Sequence, residues 1–239
     1  MKIIKRFLCL SIVIPVVLLG GCNHANSSVQ SSLEENIKQV TLGDLEINFD
    51  KEIIGDRIET DKPLFQSYLD IVAGGSYKYN VLTYVEKTTI MLQTYKTQQG
   101  NNYYVKTLSA NRDGPIENLG RELLLLNDIY YIRDLYSEDN LKEVPANRRI
   151  EPIDPISAIM RDDMKYVSSH NVVISGEDFI REEWERYNSE RAETISCYMY
   201  FKNDKLVSIN HISPKDTLTV IYIIEFENEA DESKLVEPK

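Results

Sequence analysis

Residues 218–227 read Leu-Thr-Val-Ile-Tyr-Ile-Ile-Glu-Phe-Glu. An extended chain alternates its side chains between two faces. Leu218, Val220, Tyr222, Ile224 and Phe226 then share one face, and Ile221 and Ile223 lie on the other. A strand that is apolar on both faces must be covered on both. In a curved sheet, one face meets helices while the other closes against the sheet's own far side.

Working back from this strand, similar runs recur with turn chemistry between them. Lys205–Ile212 and Glu193–Lys202 are joined by Asn203-Asp204, a tight-hairpin pair. Asp178–Tyr187 and Asn171–Ser175 precede them. Ile180, Trp184 and Tyr187 also fit a helix that Ser175 would cap, so the periodicity leaves that segment open. Pro155 after Asp154 starts a helix whose face carries Ile156, Ile159, Met160 and Met164. Before it stands a ladder of strands at Tyr77–Val85, Thr88–Thr97, Tyr103–Ser109, Arg121–Leu126, Ile129–Asp134 and Leu141–Val144. Polar links at 98–102, 111–114, 127–128 and 137–140 separate them. Short links of this kind join antiparallel neighbours. Pro63–Ala73 is expected to be a helix capped by Asp61 and stopped at Gly74-Gly75. Leu42–Ile54 is expected to be a short strand or an extended entry segment. The expected class is mainly β (α+β): a strongly curved antiparallel sheet or incomplete barrel, with two or three helices covering its mouth.

The chain opens on a targeting device. Lys2, Lys5 and Arg6 precede Phe7–Leu19, an uncharged run of 13 residues. A membrane-spanning helix needs roughly 20 apolar residues, so this run fits a signal peptide better. Leu19-Gly20-Gly21-Cys22 then resembles a bacterial lipobox. The resemblance implies cleavage by signal peptidase II between Gly21 and Cys22 and a diacylglyceryl group on the Cys22 sulfur; two acyl chains anchor stably where one would be reversible. The expected organisation is a signal peptide at 1–21, a lipidated flexible tether at 22–39 and a single half-barrel domain at 40–239. Localisation follows: a membrane, by the Cys22 lipid, on its extracytoplasmic face.

Charge agrees. Lys plus Arg number 27 against 38 Asp plus Glu, a net −11 that becomes −14 once Lys2, Lys5 and Arg6 leave with the leader. Such a balance argues against nucleic-acid binding, and makes the lipid, not a basic face, the expected attachment.

The order of elements resembles the LolA/LolB-like lipoprotein-carrier fold, which includes the amino-terminal part of RseB-type envelope regulators. The residues carrying the likeness are Tyr103-Tyr104-Val105-Lys106, the run from Leu124 to Arg133, Val172–Glu183 with its turn at Gly176, Tyr198–Leu206 and the closing residues Leu235–Lys239. The resemblance implies an incomplete barrel with helices over a concave mouth and an apolar cavity. It favours a strand for Asp178–Tyr187. It does not carry the sorting activity, because no motif matches the carriers' cargo-handling residues.

Chemistry-bearing residues are sparse. His24 falls in the tether, and His170 and His211 flank strands without metal-ligand spacing. After processing, Cys197 is the one thiol besides the lipidated Cys22; it reads as a small buried apolar residue rather than a nucleophile paired with a histidine. Asp162-Asp163 and Glu182-Glu183 lack the spacing of a calcium loop and read as solvated surface pairs. No nucleophile elbow or phosphate loop occurs. Of 15 tyrosines, Tyr77, Tyr79, Tyr95, Tyr103, Tyr131, Tyr198, Tyr200 and Tyr222 lie in expected strands. They suit half-buried sheet positions and also a groove for a lipid, glycan or peptide. The sequence therefore points to a non-catalytic protein without cofactor or metal, binding an apolar or lipid-like ligand or a protein segment. The alternative is an RseB-like envelope docking module without a ligand.

Overall fold

A computed structural model describes residues 47–86, 90–111, 116–135, 140–161, 163–188, 193–212 and 218–238. In chain order these form β1 (Glu52–Ile58), α1 (Leu64–Gly74), β2 (Ser76–Val85), β3 (Ile90–Gln99), β4 (Asn102–Asn111), β5 (Ile116–Leu126), β6 (Ile129–Asp134) and β7 (Lys142–Glu143). After these come α2 (Pro155–Ile159), β8 (Lys165–Ile174), β9 (Glu177–Asn188), β10 (Glu193–Lys202), β11 (Lys205–Ile212) and β12 (Leu218–Glu227). The strands build one mainly antiparallel architecture, a sheet in the order β1-β8-β9-β10-β11-β12-β2-β3-β4-β5-β6-β7. It is two meanders, β2–β7 and β8–β12, joined where β12 pairs with β2. The sheet is not closed: β1 and β7 are its edges.

Local chemistry explains the turns. Asn127-Asp128, Ser175-Gly176 and Asn203-Asp204 each place two consecutive residues at positive φ, the conformation that matches the twist of a two-residue hairpin. Gly75 ends α1 at φ 71°, its N–H donating to the Val72 carbonyl. Gly120 answers a different need. A Cβ there would stand 1.9 Å from the Thr107 carbonyl oxygen, so a side chain would push β4 and β5 apart.

Both faces of β12 are buried, as its pattern required, but a register shift between Ile223 and Glu225 moves Phe226 from the expected Tyr222 face to the Ile221 face, where it stacks with Tyr77 and Tyr79. Ile221 is 1% exposed and Tyr222 5%. On the Ile221 face, α1 and α2 pack against Tyr77, Tyr79, Val81, Trp184, Ile195, Cys197, Met199, Phe201 and Ile209. On the other face, Tyr222, Val220, Leu82 and Met91 form one cluster and Val172, Ile174, Phe179 and Tyr200 another; Ile47 and Phe49 pack against both. The C-terminal segment lies on that same face. Leu235 packs near Tyr95, Tyr104 and Leu124, and Asp231 accepts from the Tyr95 hydroxyl at 3.0 Å.

Several expectations need correction. The entry strand is Glu52–Ile58, not Leu42–Ile54; a 3-10 turn at Phe49–Lys51 precedes it, and Leu42–Glu46 lie outside the described residues. Asp61 does not cap α1: its N-cap position is Pro63, without a side-chain cap, and the helix's first N–H groups are taken by a distant carboxylate. α2 stops at Ile159, so Met160 and Met164 are buried beyond the helix rather than on it. β8 begins at Lys165, six residues before the expected Asn171. Asp178–Tyr187 is strand.

Candidate functional site

Helix α1 exists because Leu64, Phe65, Tyr68, Leu69, Ile71 and Val72 recur at helical spacing and give one apolar side. That side rests on an aromatic layer. Phe65 meets Trp184 edge-on at 5.4 Å, and Trp184 meets Tyr166 at 5.7 Å. Tyr68 stands edge-on to Phe226 at 5.1 Å and tilted to Phe201 at 6.1 Å. Tyr77, Tyr79 and Phe226 lie nearly parallel at 6.3 Å spacings. Each such pair contributes about 0.5–1.5 kcal/mol beyond its burial.

Polar groups fix this layer at two points. Glu182, 1% exposed, projects from β9 toward α1. Its carboxylate accepts from Leu64 N–H at 2.5 Å, Phe65 N–H at 3.1 Å and Trp184 Nε1–H at 3.0 Å. It thus replaces the missing cap of α1 with a charge at the positive end of the helix dipole. The second point lies under α2. Lys96 Nζ contacts Asp154 at 2.5 Å, with their side chains 7% and 11% exposed, and also donates to the Tyr77 hydroxyl at 3.0 Å. Asp154 caps α2 through Ser157 N–H and accepts from the Tyr79 hydroxyl at 2.6 Å. Burial raises the cost of charge on Asp154, but Lys96 beside it prevails and holds its pKa below the ordinary value. Burial likewise opposes the Lys96 charge, and Asp154 with Tyr77 overcomes it, so the lysine pKa is raised. Two tyrosine hydroxyls from the aromatic layer are thereby tied to a buried ion pair.

Among the described residues, those singled out by sequence do not converge on a reactive centre. Cys22, Gly21, His24 and Asp162 lie outside the described residues. Cys197 faces His211 across β10 and β11, yet burial pushes its thiol pKa up to about 12, only partly offset by Arg186. A thiol so shifted is protonated at neutral pH and a poor nucleophile. Burial and Arg186 also lower the His211 pKa. Glu182 and Glu183 are neighbours on one strand and so point to opposite faces; the surface reading fails for Glu182, whose cap role sequence reasoning missed. Its signal was the period-two run of Ile180, Glu182 and Trp184, a carboxylate on an apolar face. Among the described residues no three His, Cys, Asp or Glu side chains are placed to hold a metal ion. Tyr77 and Tyr79 line the α1 face, whereas Tyr95, Tyr200 and Tyr222 are buried on the opposite one. Tyr131 packs in the Tyr95 cluster and Tyr198 in the Tyr200 cluster, while Tyr103 lies near Lys96, at 5.8 Å from ring centre to Nζ.

No family model and no curated protein matches this chain. A hollow of about 510 Å³ opens elsewhere, where the C-terminal segment passes β2 and β3, lined by Ser76, Lys78, Gln99, Glu229, Asp231 and Glu232. Lys78 is paired there with Glu225 at 3.3 Å and Glu227 at 3.0 Å. Among the described residues no helix is long and apolar enough to cross a membrane.

Proposed function

We propose that the protein is a lipid-anchored envelope protein, held on the extracytoplasmic face of a membrane through Cys22. Its domain is a strongly curved half-barrel of the LolA/LolB-like kind, with α1 and α2 over its mouth. It binds an apolar, lipid-like ligand or a protein segment and does no chemistry on it. The observation that carries this reading is the aromatic layer beneath α1. The helix is 11 residues long, carries one fully buried side chain, Phe65, and ends on a glycine in the left-handed region. Lifting it exposes a continuous floor of Trp184, Phe201, Phe226, Tyr77 and Tyr79, the amphipathic lining typical of sites for apolar ligands. The open antiparallel sheet with apolar residues on both faces supports the same fold reading.

A second reading, an RseB-like docking module with no ligand, has one observation in its favour. The hollow described above is lined mainly by polar and charged residues, and the α1 face is already filled by the protein's own side chains.

Two tests address these claims. For the anchor, intact mass of the membrane-extracted protein should begin at a diacylglyceryl-modified Cys22, and Cys22→Ser should carry no lipid. For the ligand, Trp184 is the single tryptophan and lies under α1. Titration with a long-chain fatty acid or phospholipid should change its emission saturably; a flat response favours the docking module.

A further inference from the structure

The segment between β7 and α2 departs from the acidic character of the chain. Residues 145–151 and Ile153 are all exposed. Their conformation is nevertheless set. Arg148 N–H donates to the Pro145 carbonyl, and the Tyr130 hydroxyl donates to the Ile150 carbonyl. Arg149 donates to the Asp128 carbonyl at 2.6 Å and stands over the Tyr130 ring at 5.9 Å. On this fixed backbone Ile150 is 44% exposed and Ile153 54%. The Arg148 guanidinium has no partner among the described residues, and Arg149 has no carboxylate partner there. In a chain with 38 acidic residues, two guanidiniums without a carboxylate ion-pair partner among the described residues, beside two exposed isoleucines, need an explanation.

We infer that this segment is a contact for the anionic surface of the bilayer that carries the protein. Guanidiniums match phosphate geometry, and an exposed isoleucine beside them gains by entering the headgroup boundary. Glu151 offsets one arginine, so the segment remains positive by one charge. That sets it against the −14 of the mature chain and makes an anionic surface its complement. The inference rests on the Cys22 anchor reading for its bilayer. On that reading, 24 residues separate Cys22 from Ile47, and a tether of that length, if it behaves as a flexible coil, spans roughly 25–30 Å, enough for a side of the domain to reach the surface. The lipid holds the protein at the membrane, and the contact sets which side of the domain faces it.

The test uses the mature protein in nanodiscs of phosphatidylcholine, with or without phosphatidylglycerol, read by amide hydrogen exchange. Exchange at 146–153 should slow by at least about fivefold in the anionic discs, the factor for one net charge near such a surface. Molar salt should remove the effect. Arg148→Glu should abolish it, and the Ile150→Ser/Ile153→Ser double variant should reduce it, each with an unchanged thermal midpoint. Equal exchange in both discs, or protection that survives Arg148→Glu, overturns the contact. If intact mass finds no lipid on Cys22, the anchor reading fails separately. The unlipidated full chain is then floated with the same two vesicle compositions. Flotation that needs phosphatidylglycerol and Arg148 supports the contact; no flotation overturns it.

Discussion

Replacing Glu182 with alanine should cost the domain about 2–5 kcal/mol, a figure built from the three donors it would orphan. Leu64 N–H is half-buried and regains water. Phe65 N–H and Trp184 Nε1–H are buried and do not. An unsatisfied buried donor costs about 1–3 kcal/mol, and a lost helix cap about 0.5–2 kcal/mol; the two overlap at Phe65 and are not fully additive. Total stability of such a domain is about 5–15 kcal/mol, so the variant folds but is weakened. Urea unfolding followed by Trp184 emission reads both consequences at once. With a slope of about 2 kcal/mol per molar urea, the midpoint should fall by roughly 1–2.5 M. The folded baseline should also shift to longer wavelength, because Trp184 loses its hydrogen bond and Phe65 its seat. Glu182→Gln keeps an acceptor oxygen and should lose about half as much. An alanine variant with unchanged midpoint and unchanged emission would refute the claim that this carboxylate pins α1.

Other expectations follow from burial and charge. Ile221→Asp and Tyr222→Asp, on opposite faces, should each unfold or severely destabilise the domain, since an unpaired buried charge costs several kcal/mol; a thermal melt in which either is neutral would open that face to solvent. Lys96→Met leaves Asp154 buried without its partner and should cost about 3–5 kcal/mol. Because the Asp154 pKa is lowered on folding, its contribution is full above its ordinary value of 3.8 and is lost as pH falls through the lower folded value. Because the Lys96 pKa is raised, its share is full below 10.5 and is lost as pH rises through the folded value. Acid and alkaline melts of wild type and Lys96→Met should differ in both limbs; parallel curves would deny the pair its role. Cys197 should resist a thiol reagent at pH 8 until the chain unfolds, and Cys197→Ala should keep ligand or partner binding with a packing loss of about 1 kcal/mol; rapid labelling of the native protein would contradict the buried-thiol reading.

Much of the sheet was legible because its information is local. The positive-φ pairs at Asn127-Asp128 and Asn203-Asp204 are written in residue type, and they fix the strands on either side. The double-faced run from Leu218 announced a strand buried on both sides. The start of β8 was hidden because Ser168, Ser169 and His170 break the apolar alternation, and a register shift between Tyr166 and Ser168 breaks the period as well. The pairing of β1 with β8, and the junction of β12 with β2, depend on contacts distant in sequence that no local pattern encodes. For the same reason Asp61, three residues before α1, was a reasonable cap on local grounds. Glu182, 118 residues from Leu64, supplied the acceptor instead. In the site, Tyr77 and Tyr79 were among the candidates, but their bond to the Lys96–Asp154 pair came only from the fold.

Native mass spectrometry of the mature protein, extracted from its own membrane in mild detergent, tests the central claim most directly. The account predicts the mass of the diacylglyceryl-modified chain together with a second, non-covalent increment from a lipid-like molecule or a bound segment, released on mild collisional activation. It further predicts that Phe226→Ala, which trims the floor under α1 without burying a charge, weakens that increment while the covalent lipid remains and the domain still melts cooperatively. A single lipidated mass without any bound species, in wild type and variant alike, would contradict it.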